Sequence, residues 1–203
     1  MTALAKATDK HPGIAFRMPG DGMTDEEFYQ FCMLNPELRI ERTYDKFILI
    51  TPPTNSDTGN RNAELMIDVG IWNRKTILGK LFDSSTGFNL SNGAERSPDL
   101  AWIRNDRWAE IPEEQKQRFA PITPDFVAEI RTGDQNMAYL KDKMEEYMAC
   151  GCRLAWLIDP KSRKTWVYAE NGDIQTIPFD TPLNGGEVMP GFEIRLADIF
   201  DGK

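Results

Sequence analysis

The stretch PDFVAEIR, residues 124–131, is the most apolar segment of the 203-residue chain, and it decides the expected fold. Its run of Phe, Val, Ala and Ile predicts a buried central β-strand. Glu129 stands near the end of that strand, where burial of a carboxylate is costly unless a positive charge offsets it. On a strand, Glu129 shares a face with Val127 and Arg131. The offsetting charge is therefore either Arg131 or a divalent cation that Glu129 binds together with Asp99.

The segments that follow this strand predict an α/β arrangement. Asp134 is expected to cap a helix from Gln135 to about Ala149, and a second buried strand follows over residues 154–158. This strand–helix–strand unit can form a right-handed crossover. A hairpin is expected over residues 165–178, with Asn-Gly at its turn.

The segments upstream predict a capped short helix, a β-hairpin, a long helix that ends at Gly79, and three strands. The hairpin is expected over residues 38–50, the long helix over 60–78, and the strands over 81–83, 87–90 and 100–103. We therefore expect a flexible N-terminal arm over residues 1–20 and one α/β domain over residues 21–203, with a mixed sheet flanked by helices.

The composition excludes several classes of site. Lys and Arg total 24 and Asp and Glu total 32, a net charge of −8, which argues against non-specific coating of nucleic acid or anionic membranes. The only histidine, His11, lies in the expected arm, so sites that depend on histidine are not expected. No glycine-rich nucleotide-binding loop occurs.

The three cysteines favour a reducing compartment, because the count is odd and Cys150 and Cys152 are separated only by Gly151. No apolar run approaches the roughly 20 residues that span a bilayer. We therefore expect a soluble, cytoplasmic protein with no membrane partner.

Two acids and one lysine stand where the expected fold brings them to one end of the sheet. Asp99 opens the strand over residues 100–103, and Glu129 ends the central strand. Helical geometry places Lys143 at the margin of the buried stripe of the next helix, so its ammonium can reach past the sheet edge. Such a set can hydrolyse phosphodiesters, since Mg²⁺ prefers carboxylate oxygens and polarises a phosphoryl oxygen.

Each of these residues also has a purely structural interpretation. Asp99 is then a cap for backbone amides at the strand entry. Glu129 is a buried ion-pair partner of Arg131 or Lys143. Lys143 is a solvated helix lysine, and Glu64 lies on a solvated helix face.

The motifs in combination resemble the Uma-type restriction-endonuclease-like family of the PD-(D/E)XK nuclease superfamily. The resemblance covers roughly residues 20–200. It is carried by SPD at 97–99, PDFVAEIR at 124–131, Lys143 with Tyr147, and the stretch 151–160, with further similarity at 58–64 and 82–88.

The resemblance implies an αβββαβ core, a homodimer and a Mg²⁺-dependent endonuclease that acts on DNA, with Mn²⁺ as a substitute. Carried over residue by residue, Asp99 and Glu129 are metal ligands and Glu64 assists from the long helix. The superfamily lysine lies two residues after the second acid, where this chain has Arg131. The catalytic cation is therefore Lys143, from the next helix, or Arg131.

Three functions remain open from the sequence. The first is the metal-dependent DNA endonuclease. The second is a catalytically degenerate nuclease fold that binds nucleic acid or a protein, and the third is a structural or toxin–antitoxin-like interaction module. A glycosidase built on two carboxylates is a remote further alternative.

Overall fold

The computed structural model describes residues 13–133 and 135–201. Its helices are α1 (Asp25–Leu34), α2 (Ser56–Thr76), α3 (Asn105–Ala109), α4 (Glu113–Lys116), α5 (Met137–Ala149) and α6 (Leu196–Phe200). Its strands are β1 (Ile14–Arg17), β2 (Arg39–Arg42), β3 (Phe47–Thr51), β4 (Gly79–Asp83), β5 (Phe88–Asn89), β6 (Glu95–Arg96), β7 (Leu100–Arg104), β8 (Phe126–Ile130), β9 (Leu154–Asp159), β10 (Lys164–Ala169), β11 (Ile174–Pro178), β12 (Leu183–Asn184) and β13 (Glu193–Ile194).

A six-stranded mixed sheet forms the centre of the fold, with the order β11-β10-β9-β8-β7-β4. Strands β8 and β9 are parallel and α5 connects them, whereas the other neighbours pair antiparallel. All five residues of β8 are buried, and the prediction of a central strand is confirmed. The predicted mixed α/β class is likewise confirmed.

The two faces of this sheet bury different helices, because successive strand residues point to opposite sides. One face packs against α2, which contributes Leu65, Val69 and Trp72 to a core shared with Phe126 and Ala128. The other face packs against α5, whose core residues are Leu140, Met144 and Tyr147, together with Val127 of the sheet. Glu129 follows Val127 by two residues and therefore faces α5.

A second sheet of five strands has the order β1-β3-β2-β6-β5. The predicted hairpin is confirmed as β2 and β3, and the capping box before α1 is confirmed at Thr24 and Glu27. Ile14–Arg17 fall within the flexible N-terminal arm predicted over residues 1–20. They instead form β1 and pair with β3. Residues 1–12, including His11, lie outside the described residues, and the division into domains stays a prediction.

The predicted ends of two helices were wrong. Helix α2 begins after the cap Asn55 and ends at Thr76, because Ile77 turns the chain with a left-handed φ of 55°. Gly79 is needed for a different reason: a Cβ there would lie 2.3 Å from the carbonyl oxygen of Ile103. Helix α5 is capped by Asn136, whose side chain accepts from the amide of Ala138, while Asp134 lies outside the described residues.

Candidate active site

The register of the β7–β8 pair brings the two predicted acids together. Leu100 pairs with Ala128 in this antiparallel ladder, so one step further Asp99 falls opposite Glu129. The amide of Ile130 donates to Asp99 Oδ2 at 2.8 Å, which holds the Asp99 carboxylate beside the backbone that carries Glu129. Directly opposed residues have their Cβ atoms about 5 Å apart. The two acids are therefore neighbours at the end of the sheet.

Helix α5 supplies the two groups that contact Glu129. The ammonium of Lys143 lies 2.7 Å from Glu129 Oε1, and the hydroxyl of Tyr147 donates to the same oxygen at 3.0 Å. Lys143 and Tyr147 lie four residues apart and thus face the sheet together. Only 6% of the Lys143 side chain is exposed, so the interpretation of a solvated helix lysine was wrong. The Glu129–Lys143 ion pair is present.

The cluster contains a third acid, Glu41 of β2, which the sequence reasoning missed. Glu41 Oε1 lies 3.0 Å from Lys143 Nζ and accepts from the amide of Ser97 at 2.9 Å. Glu41 Oε2 accepts from Arg96 at 3.2 Å. One signal was available in the sequence. Glu41 is an acid in a hairpin strand whose partner strand is apolar. Its partner Lys143 is 102 positions away, and only the tertiary fold brings them together.

Arg39 and Asp99 form the solvent-facing side of the cluster. Arg39 donates to Asp99 Oδ1 at 3.2 Å and to the carbonyl of Ser97 at 3.0 Å. The Arg39 side chain is 34% exposed and that of Asp99 is 11% exposed, whereas Glu129 and Glu41 are buried. The acids are thus reached from solvent past Arg39.

The opposite side of the cluster borders a surface pocket of about 450 Å³. Arg96, Tyr139 and Lys143 line its inner wall, and Asp142 and Glu145 lie among its acidic residues. The acidic residues of this pocket, Asp45, Asp142, Glu145 and Glu146, outnumber its cations Arg96 and Lys143, so its lining has net negative charge.

The two buried glutamates have different pKa values because only Glu41 has Arg96 as a second cation beside Lys143. Burial raises the pKa of Glu129 to about 7, with Asp99 and Glu41 adding to the effect and Lys143 opposing it. Burial would also raise the pKa of Glu41, but Lys143 and Arg96 outweigh it and lower the pKa to about 2. Glu41 is ionised because it has a second cation, and Glu129 is the acid that takes up a proton.

The pKa of Lys143 itself is raised above its ordinary value. Burial alone would lower it, but Glu129 and Glu41 outweigh that effect. Lys143 is therefore an ammonium at neutral pH.

Arg131 does not join the contacts of this cluster in the described part of the chain. It follows the last residue of β8 and donates to Asp159 at 3.1 Å and to the carbonyl of Gln135 at 3.1 Å. The chain leaves the strand geometry after Ile130, so the alternation that put Arg131 on the face of Glu129 no longer applies. Arg131 as the ion-pair partner of Glu129 was therefore wrong.

Glu64 lies on α2, which packs against the opposite face of the central sheet. It lines a groove of about 830 Å³ together with Asp68, Arg195 and Asp198. None of the cluster residues lines that groove. The structure therefore does not bring Glu64 to Asp99 and Glu129, because the sheet separates them.

The acids of the cluster offer the hard oxygen ligands that Mg²⁺ prefers. Within residues 13–133 and 135–201, no three acid, histidine or cysteine side chains are grouped so that they could hold a metal ion. Mg²⁺ commonly binds through only one or two carboxylates, with water and phosphate as the other ligands. Asp99 and Glu129 fit this requirement as a pair.

The predicted site residues thus divide into two groups. Asp99, Glu129 and Lys143 meet at one end of the sheet, whereas Arg131 and Glu64 lie elsewhere. Glu41, Arg39 and Tyr147 complete the cluster.

Comparisons with known proteins bear on the family and the fold of the chain. The family model described as "Putative restriction endonuclease", Uma2, matches residues 25–197. A crystal structure titled as a "putative nuclease belonging to DUF820" from Anabaena variabilis ATCC 29413 matches with a TM-score of 0.71 and 19% identity, and the match covers 88% of this chain and 98% of that one. The comparison with curated proteins found no match. Because the family model spans most of the chain, this protein belongs to the Uma2 family of restriction-endonuclease-like nucleases.

Proposed function

We propose that this protein is a metal-dependent endonuclease that hydrolyses phosphodiester bonds in DNA. The observation that carries the proposal is the pair of opposed acids, Asp99 and Glu129, with the ammonium of Lys143 2.7 Å from Glu129. Membership of a nuclease family supports the reaction class. The metal and the DNA substrate are parts of the proposal.

In this proposal Asp99 and Glu129 hold Mg²⁺, for which Mn²⁺ can substitute. The metal, when bound, polarises the phosphoryl oxygen and lowers the pKa of an attacking water. Tyr147 fixes the orientation of the Glu129 carboxylate through its hydroxyl. Glu41 keeps the Lys143 ammonium in place from the other side.

Lys143 acts as a charge and a hydrogen-bond donor in this proposal. Its raised pKa keeps it protonated at neutral pH, so it cannot take a proton from water. It instead orients the water and stabilises the negative charge that develops on the phosphate.

Arg39 is the group that meets the incoming backbone. The acids Asp99, Glu41 and Glu129 together raise its pKa against the effect of burial, so it stays charged. With Asp99 bound to a metal, the Arg39 guanidinium would be free to donate two parallel hydrogen bonds to phosphate oxygens.

The test is nicking of supercoiled plasmid with Mg²⁺ or Mn²⁺, together with calorimetric titration of Mn²⁺ without DNA. We expect Asp99→Asn and Glu129→Gln each to abolish nicking and to weaken Mn²⁺ binding. Glu193→Gln, which removes an exposed acid of β13, is the matched control and should behave as wild type. A wild-type protein that neither binds Mn²⁺ nor nicks DNA would contradict the proposal.

One observation favours the degenerate nuclease fold as a second candidate. Both acids of the proposed metal pair already have cationic partners, Arg39 for Asp99 and Lys143 for Glu129. A site of this kind is electrostatically satisfied without a metal. Binding of DNA without cleavage in the presence of either metal would support this candidate.

The homodimer implied by the family resemblance and the cytoplasmic location are also proposals. Cys32, Cys150 and Cys152 are all free thiols, which supports a reducing compartment. No helix in the described ranges is both long and apolar enough to cross a membrane.

A further inference from the structure

Helix α2 presents an apolar stripe to solvent on its outer side. Ile67 is 51% exposed and Ile71 is 47% exposed, one helical turn apart. Ile77 and Leu78, directly after the helix, are also exposed. This stripe (Ile67, Ile71, Ile77 and Leu78) is more apolar than a solvated helix face needs to be.

Two grooves flank α2, so the helix stands out as a ridge. One is the groove of about 830 Å³ that contains Glu64 and Asp68. The other, of about 650 Å³, lies between α2 and the sheet-edge strand β4, and it is lined by Met66, Gly70, Leu81, Phe82 and Trp108 among others. A ridge beside a groove is the shape into which another helix packs.

Gly70 lies on the side of this ridge that faces β4, and its own chain does not require a glycine there. A Cβ at Gly70 would meet Leu81 Cδ2 at 3.6 Å, which is ordinary van der Waals contact. Glycine in the middle of a helix costs about 0.5–1 kcal/mol relative to alanine. A second helix that approaches closely would use the space that this glycine leaves.

The charges along α2 are arranged so that the helix complements itself. Glu64 precedes Ile67 by one turn, and Arg74 follows Ile71 by one turn. If two copies of α2 pack antiparallel about a two-fold axis midway between Ile67 and Ile71 on the exposed side, Ile67 meets Ile71 of the other copy and Glu64 meets Arg74 of the other copy. Neither Glu64 nor Arg74 has an ion-pair partner among the described residues. Each contact then occurs twice, as a two-fold interface requires.

We propose that α2 is the homodimer interface of this protein, with a second copy of the chain as its occupant. The interface deepens the homodimer part of the proposed function, and it does not depend on metal binding or cleavage. The candidate active site lies on the opposite face of the sheet from α2, so both sites stay accessible in the dimer.

The test measures the oligomeric state by sedimentation equilibrium. The wild type is compared with variants in which the charge at Glu64 or Arg74 is reversed. We expect a dimer for the wild type. Glu64→Arg and Arg74→Glu should each raise the dimer dissociation constant by about tenfold or more, because each places like charges opposite each other twice. The double variant Glu64→Arg/Arg74→Glu should recover dimerisation, since the reversed pairs again attract.

Ile67→Asp should give a monomer, and Ile174→Asp, which changes an equally exposed isoleucine of β11, is the matched control. Thermal unfolding of each variant checks that the variant is folded. A wild-type monomer at high concentration, or a dimer that both single reversals leave unchanged, would overturn the proposal. Nicking activity is measured separately, so failure of the interface and failure of the nuclease proposal are distinguishable.

Discussion

At the scale of single residues, Lys143 is the position on which the cluster depends most. It lies between Glu129 and Glu41 and is almost fully buried. Removal of one partner from a buried ion pair leaves an uncompensated charge and costs about 3–5 kcal/mol. A solvated helix lysine could be replaced with little loss of stability, but the burial of Lys143 changes that expectation.

We therefore expect Lys143→Met to lower the free energy of unfolding by about 3–5 kcal/mol, as measured by urea denaturation. Lys141→Met is the matched control on the same helix, because Lys141 lies over the ring of Trp166 at 4.8 Å. Loss of this cation–π contact should lower the free energy of unfolding by no more than about 1 kcal/mol. Equal stability losses in the two variants would show that the Lys143 ion pairs do not stabilise the fold.

The pKa of Glu129 predicts a pH dependence of stability. Burial raises it to about 7 in the folded protein from its ordinary value of 4.5. The folded state therefore binds this proton more tightly, so the contribution of Glu129 to stability is present below pH 4.5 and is lost as the pH rises through about 7.

Glu129→Gln has no titratable carboxyl group at this position. As the pH rises from about 5 to about 8, we therefore expect the free energy of unfolding of the variant to increase relative to that of the wild type. Urea denaturation of both proteins at several pH values measures this difference. A difference that stays constant with pH would mean that the pKa of Glu129 is not raised in the folded protein.

For Arg131 we predict that substitution has little effect on nicking. Its guanidinium is engaged with Asp159 and the carbonyl of Gln135. We expect Arg131→Gln to retain plasmid nicking within about threefold of wild type, because it removes none of the contacts within the cluster. Loss of nicking in a folded variant would return the catalytic role to Arg131.

At the scale of elements, two glycines, Gly70 within α2 and Gly79 at the start of β4, differ in the space around them. Gly79 begins β4 where a Cβ would overlap the carbonyl oxygen of Ile103, and backbone cannot move aside easily. Gly70 has ordinary space around it.

We expect Gly79→Ala to lower the free energy of unfolding by about 1–3 kcal/mol through overpacking. Gly70→Ala should raise it by up to about 1 kcal/mol in the dilute monomer, because alanine favours the helix. Thermal unfolding at low protein concentration compares the two. A Gly70→Ala monomer less stable than wild type would show that Gly70 is required within its own chain.

At the scale of the whole molecule, the arrangement of sites in the proposed dimer predicts the cleavage pattern. Helices α2 and α5 pack on opposite faces of the central sheet, so the proposed interface and the candidate active site lie on opposite sides of that sheet. Two sites on the outer sides of a dimer cannot act together on one stretch of duplex.

We therefore expect supercoiled plasmid to become open circles first and linear molecules only later. A time course on an agarose gel measures the order of the products. Linear DNA that forms as fast as open circles would mean that two sites meet on one duplex, in contradiction to the proposed arrangement.

Local patterns in the chain predicted the central strand and the helix with Lys143, since strand alternation and helical periodicity depend on residues close in the chain. The meeting of Asp99 with Glu129 was an expectation that also required two separate strands to pair. The motif resemblance added the nuclease family, which the family match confirmed.

The charges that surround those residues became clear from the three-dimensional fold. Glu41 joins Lys143 from a different sheet, Arg131 turns towards Asp159, and Glu64 lies behind the central sheet. The physical reason is that an ion pair depends on distance in space, and no local pattern encodes which side chains a folded sheet brings within a few ångströms.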